Sequence, residues 1–148
     1  MTFDKIVEQM QADDWPIEHV GERAFRCRFE GVDRTYSLLV HVEAVYLLLL
    51  VLPLVKLPST EPVAQTLMDR LLELNSELVM AKFSVDEDAD VILSIEFPVA
   101  EMEPGQLQEA LDVLVYYTNK YAPEIIELAS TEEADDDYWW ERDRKVSG

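Results

Sequence analysis

Residues that commonly carry enzyme chemistry are scarce in this sequence. Its 148 residues include one cysteine, two histidines and four glycines. Cys27 has no partner for an internal disulfide or for a cysteine-based metal site. The glycines stand singly, so no Gly-rich phosphate loop is present, and His19 and His41 lack companions at metal-ligand spacing. We therefore expect no catalytic residues, no metal and no cofactor, and predict that the protein is not an enzyme.

Positive charge is scarce as well. The sequence has 31 Asp and Glu against 12 Lys and Arg, a formal net charge of −19. This charge disfavours nucleic acid and anionic membrane surfaces as partners, because their phosphates would be repelled. It favours solubility and a neutral or basic partner. The single cysteine, which leaves no internal disulfide, indicates a cytoplasmic protein.

The sequence also has no apolar run of membrane-spanning length. The run VYLLLLVLPLV at 45–55 has eleven residues, whereas a transmembrane helix needs about 20. The sequence starts MTFDKIVEQ, which is not the pattern of a signal peptide. A short apolar run that contains Pro53 is typical of a strand buried on both faces of a sheet. We therefore predict a central strand with both alternating sets of side chains covered.

The N-terminal half predicts one helix and then strands. Apolar residues at helical spacing follow Thr2 and end near residue 13. A weak strand is predicted at 17–20, and strict alternation follows from residue 25, with Cys27 among the inward residues. Cys27 is thus predicted to be a packed core thiol. Alternation resumes at 36–42, and the short connections predict an antiparallel meander.

The C-terminal half predicts helix, hairpin and helix. A helix begins at Ser59 or Thr60 and ends near Asn75. A hairpin follows, with the acidic turn 86–90 between its strands; this turn lacks the glycine and distal glutamate of an EF-hand loop, so we expect a solvated turn. The last helix begins at 103–105, and Pro123 is expected to interrupt it.

These elements predict one α+β domain at 1–130, followed by an acidic C-terminal tail at 131–148. Along the domain the elements follow the order α-β-β-β-β-α-β-β-α. They are expected to form an antiparallel sheet of five or six strands with helices packed against it. Four of these elements follow one another in a recognisable order. They are the apolar strand, the proline-flanked helix PVAQTLMDRLLELNSEL with its Leu74-Asn75 dipeptide, the hairpin KFSVDEDADVILSIEFP and the last helix.

In these features, from about residue 2 to 128, the chain resembles the YbjN-like proteins, whose fold is similar to that of the class I type III secretion chaperones. The resemblance implies a regulatory protein without established enzymatic activity, and it supplies no catalytic residues. Secretion chaperones of this fold are small, acidic, cytoplasmic and commonly dimeric. They hold a partner chain extended across their surface, so the resemblance also implies a chaperone-like capacity to bind protein.

Five aromatic residues are candidates for partner binding. Tyr116 and Tyr117 give the last helix apolar surface on a second side. Tyr138, Trp139 and Trp140 lie between charged flanks in the tail, which is either a solvated acidic tail or an interface anchor. If it is an anchor, we expect Trp139 or Trp140 to dock on apolar surface of its own domain, of a second subunit or of a client protein, with the sheet face that the helices leave open as the favoured receptor.

Three functions are consistent with these patterns. The first is a non-enzymatic protein-binding or regulatory module that engages a polypeptide partner through apolar sheet and helix surfaces. The second is a structural subunit whose role is dimerisation within a larger assembly, and we expect a homodimer because a sheet covered by helices on one side leaves apolar surface. The third is an enzyme or small-molecule sensor with a pocket between sheet and helices that uses Tyr36, Tyr46, His41 or the carboxylates.

Overall fold

The chain folds as an α+β domain with a six-stranded antiparallel sheet and three α-helices. The structure is a computed structural model that describes the backbone of residues 1–147 and the side chains of residues 1–130. The helices are α1 (Phe3–Ala12), α2 (Glu61–Asn75) and α3 (Pro104–Ser147). The strands are β1 (Glu18–Gly21), β2 (Ala24–Glu30), β3 (Thr35–Glu43), β4 (Tyr46–Lys56), β5 (Lys82–Val85) and β6 (Asp90–Pro98). The order along the chain is the predicted one, and the weak N-terminal strand is present as β1.

The strands lie in the order β1-β2-β3-β4-β6-β5, and every neighbouring pair is antiparallel. The first four strands form the predicted meander. The hairpin of β5 and β6 then adds to β4 through its second strand, so β5 becomes an edge strand. The apolar strand β4 therefore lies inside the sheet, between β3 and β6.

All three helices pack on one face of the sheet. On β4 this helix-covered face carries Leu47, Leu49 and Val51, each at most 1% exposed. Helix α3 contacts β4 and β6, and α2 contacts α3 and β5. Helix α1 covers β2, where the rings of Phe3 and Phe25 lie 5.8 Å apart. The core thus lies between one sheet face and a layer of helices.

The prediction that both faces of β4 are covered is wrong for the single chain. Burial along β4 alternates: Leu48, Leu50 and Leu52 point to the opposite face and remain half-buried, while Tyr46 is half exposed and Val45 lies outside the strand. Because the described helices lie on one side, no helix within residues 1–130 packs on these leucines, and their partial burial comes from neighbouring residues of the sheet. A run that is apolar at every position cannot reveal which of its two faces is covered.

The expected interruption at Pro123 is also wrong, because α3 continues through it. An interior proline removes one helical hydrogen bond and costs roughly 3 kcal/mol. Here Ala122 and Ile125, on either side of it, are fully buried in the core. We attribute the continuity to this packing, which anchors the turns before and after the proline.

One buried polar atom of α3 leads to a stability prediction. Thr118 is fully buried, and its hydroxyl has no hydrogen-bond partner among the described residues. An unsatisfied buried hydroxyl costs about 1–3 kcal/mol, and valine has the same branched shape. We expect Thr118→Val to raise the free energy of unfolding by about 1 kcal/mol, measured by urea denaturation. The control is Thr66→Val, which removes a hydroxyl that donates to the Pro62 carbonyl and should not stabilise; a loss at Thr118 would contradict the prediction.

Candidate functional site

The sheet face opposite the helices, here called the open face, carries a patch of leucines. Leu39 on β3 pairs with Leu50 on β4, and Leu48 and Leu52 flank Leu50 on the same face. All four are half-buried and come from β3 and β4, the two central strands of the sheet. We call these four residues the leucine patch. Leucine side chains gathered on an uncovered sheet face are typical of a surface that binds a partner.

Charged and polar residues surround the leucine patch. Arg26 pairs with Leu39 from the β2 side, and Arg28 follows on the same face; both are exposed. On the other side of the patch, Lys82 forms an ion pair with Glu96 at 2.9 Å. The open face is therefore apolar at its centre and polar at its borders, as protein interfaces commonly are.

His41 and Tyr46 also lie on the open face. His41 pairs with Leu48 in the register of β3 and β4, and Tyr46 is 50% exposed. Tyr36 belongs to the opposite face, where its buried hydroxyl donates to Asp33 Oδ1 at 2.8 Å. Burial and this hydrogen bond raise the pKa of Tyr36. The three residues of the sensor hypothesis therefore do not meet in one pocket.

Asn75 closes part of the sheet's β5 edge. Its side-chain Oδ1 accepts from the Phe83 amide at 2.7 Å, and its Nδ2 donates to the Phe83 carbonyl at 3.0 Å. The amide thus satisfies two backbone groups, as a neighbouring strand would do. An edge strand with occupied hydrogen-bonding groups is a poor site for strand addition, and at Phe83 both backbone groups are occupied.

Of the predicted aromatic candidates, Tyr116 is available on the surface and Tyr117 has a structural role. Tyr116 is 58% exposed on α3, whereas the half-buried Tyr117 accepts a hydrogen bond from the Val79 amide at 3.0 Å and stacks on Tyr121. The Lys120 ammonium lies 5.7 Å from the Tyr116 ring centre and 5.3 Å from that of Tyr121. These tyrosines lie on the helical side and do not border the open face. Tyr138, Trp139 and Trp140 lie outside the described side chains.

The remaining candidates for chemistry show structural roles. Cys27 is 2% exposed, and burial raises the pKa of its thiol to about 12, so the neighbouring arginines do not activate it. In the acidic turn, Asp86 Oδ1 accepts from the amides of Asp88 and Asp90, each at 2.9 Å. The Lys56 ammonium donates to the Asp88 carbonyl at 2.6 Å. The turn is thus closed by its own hydrogen bonds, and the ammonium of Lys56 lies against it.

Sequence reasoning missed the leucine patch as a named site. The signal was present: β4 carries leucines at both alternating positions, and Leu39 supplies one more on β3. The leucines of β4 were assigned to the core because a buried central strand has the same pattern. Glu96, whose alternation with the inward-facing Leu93 and Ile95 predicts exposure, is exposed in the structure.

These features define a class of protein: a small α+β domain with one helix-covered sheet face and one open apolar face. The chain belongs to the YbjN family, whose model, described as "Putative bacterial sensory transduction regulator", matches residues 2–127. This match confirms the resemblance seen in the sequence. No curated protein matches the chain.

Among solved structures, the chain is similar to a chain in the heterodimeric complex ExoU-SpcU from the type III secretion system of Pseudomonas aeruginosa. The TM-score is 0.57 at 17% sequence identity, over 78% of this chain and 93% of that chain. At this identity the comparison shows the fold, and it confirms the predicted type III secretion chaperone-like architecture. Among the residues that the structure describes, no helix has both the length and the hydropathy to cross a membrane.

Proposed function

We propose that this protein is a non-enzymatic, chaperone-like or regulatory module that holds a segment of a polypeptide partner on its open face. The observation that carries the proposal is the leucine patch, a half-buried apolar surface at the centre of the sheet, on the face where no helix of residues 1–130 packs. We further propose that the protein acts in the cytoplasm as a homodimer.

The geometry of the open face suits an extended or helical segment with regularly spaced apolar side chains. Opposite residues on neighbouring strands lie about 5 Å apart, so Leu39 and Leu50 form one row across the sheet. Leu48 and Leu52 lie one row to either side along β4. A partner whose apolar side chains meet these rows would be held mainly by burial of apolar area, worth about 25 cal/mol per Å².

The comparisons support the same proposal. The family is described as one of regulators of sensory transduction, and the similar structure comes from a heterodimeric complex of a type III secretion system. The first description names a regulator and the second a complex of two proteins, and binding to another protein is consistent with both. The leucine patch gives this chain a surface for such an interaction.

Capture of a partner by the purified protein tests the proposal. We compare the wild type with Leu39→Gln/Leu50→Gln, which makes the leucine patch polar, and with Leu72→Gln, which changes an exposed leucine of α2. The expected result is a polypeptide retained in stoichiometric amount by wild type and Leu72→Gln and lost from the double variant. Equal retention by all three proteins would contradict the proposal, as would recovery of a small molecule alone.

A further inference from the structure

The C-terminal segment, residues 131–148, has the composition of an interface anchor. It contains seven acidic residues, three basic residues and the contiguous aromatic residues Tyr138, Trp139 and Trp140. Each of these aromatic side chains buries about 150–250 Å² when it docks. Such residues are enriched among those that contribute most to binding at interfaces.

The open face offers the complementary chemistry. Arg26 and Arg28 border the leucine patch in a protein with 31 acidic and 12 basic residues. Glu18 of β1 lies opposite Arg26 in the sheet, but within residues 1–130 neither arginine forms an ion pair, whereas Arg34 and Arg70 do. An occupant with acidic residues beside large aromatic residues would satisfy the arginines and cover the leucines, and the C-terminal segment is of this kind.

The course of α3 decides which copy supplies the segment. Helix α3 begins beside α1, where Gln9 donates to the Pro104 carbonyl, and at Ser130 it has reached residues 55–59 at the end of β4. Between Pro123 and Gly148 the sequence has neither glycine nor proline, and the helix runs to Ser147. Seventeen further residues extend it by about 25 Å. A helix continuing from the covered side of its own sheet has no turn by which to reach the opposite face.

We propose that the C-terminal segment of one copy occupies the leucine patch of a second copy, and that the exchange is reciprocal. Such an arrangement is a two-fold dimer in which each copy gives one segment and receives one. The proposal rests on the proposed function, because it uses the same face. It also implies that partner binding is regulated, since a partner must displace the segment in order to bind.

The exchange buries enough surface for a stable dimer. Because consecutive helical residues point about 100° apart, two of the three aromatic side chains can face the patch together; they bury about 300–500 Å² per segment, hence about 600–1,000 Å² for two segments and about twice that once the receiving faces are counted. Specific interfaces bury about 1,200–2,000 Å² in total. The reciprocal arrangement therefore reaches the size of a specific interface through the described patch and this segment.

The first test is the mass of the full chain in solution, with no partner present. By light scattering at tens of micromolar, we expect twice the 17.1 kDa of one chain. Trp139→Ala/Trp140→Ala and Leu39→Gln/Leu50→Gln should each raise the dimer dissociation constant at least about thirtyfold, whereas the control Tyr116→Ala should leave it unchanged. A monomeric wild type, or a dimer that persists in both double variants, would overturn the proposal.

Mixing the two double variants tests the exchange itself. The tryptophan variant keeps its leucine patch and the leucine variant keeps its C-terminal segment, so an equimolar mixture retains one of the two contacts. We expect a heterodimer from two proteins that are monomeric alone, which also shows that both are folded; no heterodimer would overturn the exchange. Because these measurements contain no partner, failure here leaves partner capture by the leucine patch as a separate result.

Tryptophan fluorescence separates exchange from docking within one chain. In a Trp15→Phe background, Trp139 and Trp140 are the only tryptophans. We expect shielded emission in the dimer that becomes solvent-exposed on dilution to monomer. Shielded emission in a protein that is monomeric at every concentration would show docking within one chain and overturn the proposed exchange.

Discussion

Leu49→Ala is expected to lower the free energy of unfolding by about 2–5 kcal/mol, the usual cost of truncating a fully buried leucine. Leu49 is 0% exposed on the helix-covered face of β4. Leu48→Ala, one residue earlier, should cost no more than about 1–2 kcal/mol, because its side chain is half-buried on the open face and leaves no closed cavity. Urea denaturation at submicromolar protein, where association contributes least, measures both values.

The two variants are matched controls for each other. They make the same chemical change in adjacent residues of one strand, and they differ in the sheet face to which the side chain points. Equal losses of more than 2 kcal/mol at both positions in a monomer would place both faces of β4 in the core. That outcome would remove the basis for the open face and for both proposals that use it.

Asn75→Leu is expected to lower the free energy of unfolding by about 2–3 kcal/mol. The substitution removes both hydrogen bonds to the Phe83 backbone, and each polar group left unsatisfied costs about 1–3 kcal/mol when buried. Two such groups together would cost about 2–6 kcal/mol. We expect the lower part of this range because the two hydrogen bonds are only partly buried. Thermal or urea denaturation measures the change, and the control Gln65→Leu, which loses an exposed hydrogen bond to Asp69, should stay within about 0.5 kcal/mol.

Asn75→Asp supplies a test of the hydrogen-bond geometry by pH. An ionised carboxylate accepts from the Phe83 amide but cannot donate to the Phe83 carbonyl, whereas a protonated carboxyl does both. The folded state therefore favours the protonated form, and the deficit relative to wild type should shrink as pH falls through the carboxyl's range. A deficit that is equal at pH 7 and pH 4 would show that the donated hydrogen bond does not stabilise the fold.

The sequence predicted the parts of the fold that local patterns determine. Alternation in β2 placed Cys27 inward, and the structure confirms it as a buried core thiol. The end of α2 at Asn75 was also predicted. The hydrogen bonds between the Asn75 side chain and the Phe83 backbone were not predicted, because they join α2 to a strand that comes later in the chain. The order of elements and the family follow from these local signals.

The parts that could not be predicted depend on contacts between distant segments. Nothing in the hairpin of β5 and β6 specifies that β6 rather than β5 lies beside β4, and no local signal places every helix on one face. The continuity of α3 through Pro123 likewise depends on burial of its neighbours Ala122 and Ile125. The leucine patch was missed for the same reason, since exposure of its leucines is decided by where the helices pack.

The two apolar faces of β4 have a consequence for how the sheet finds its alignment. A shift of one residue exchanges the faces of a strand, and in β4 it would exchange Leu47, Leu49 and Val51 for Leu48, Leu50 and Leu52 with little change in hydrophobicity. The strand's own leucines therefore discriminate weakly between correct and shifted pairing. Preference for the correct pairing must therefore come from the neighbouring strands. If β3 and β6 shifted together with β4, His41 on β3 and Glu96 on β6 would move to the helix-covered face. The polar residues of the open face thus fix the alignment of the apolar strand between them.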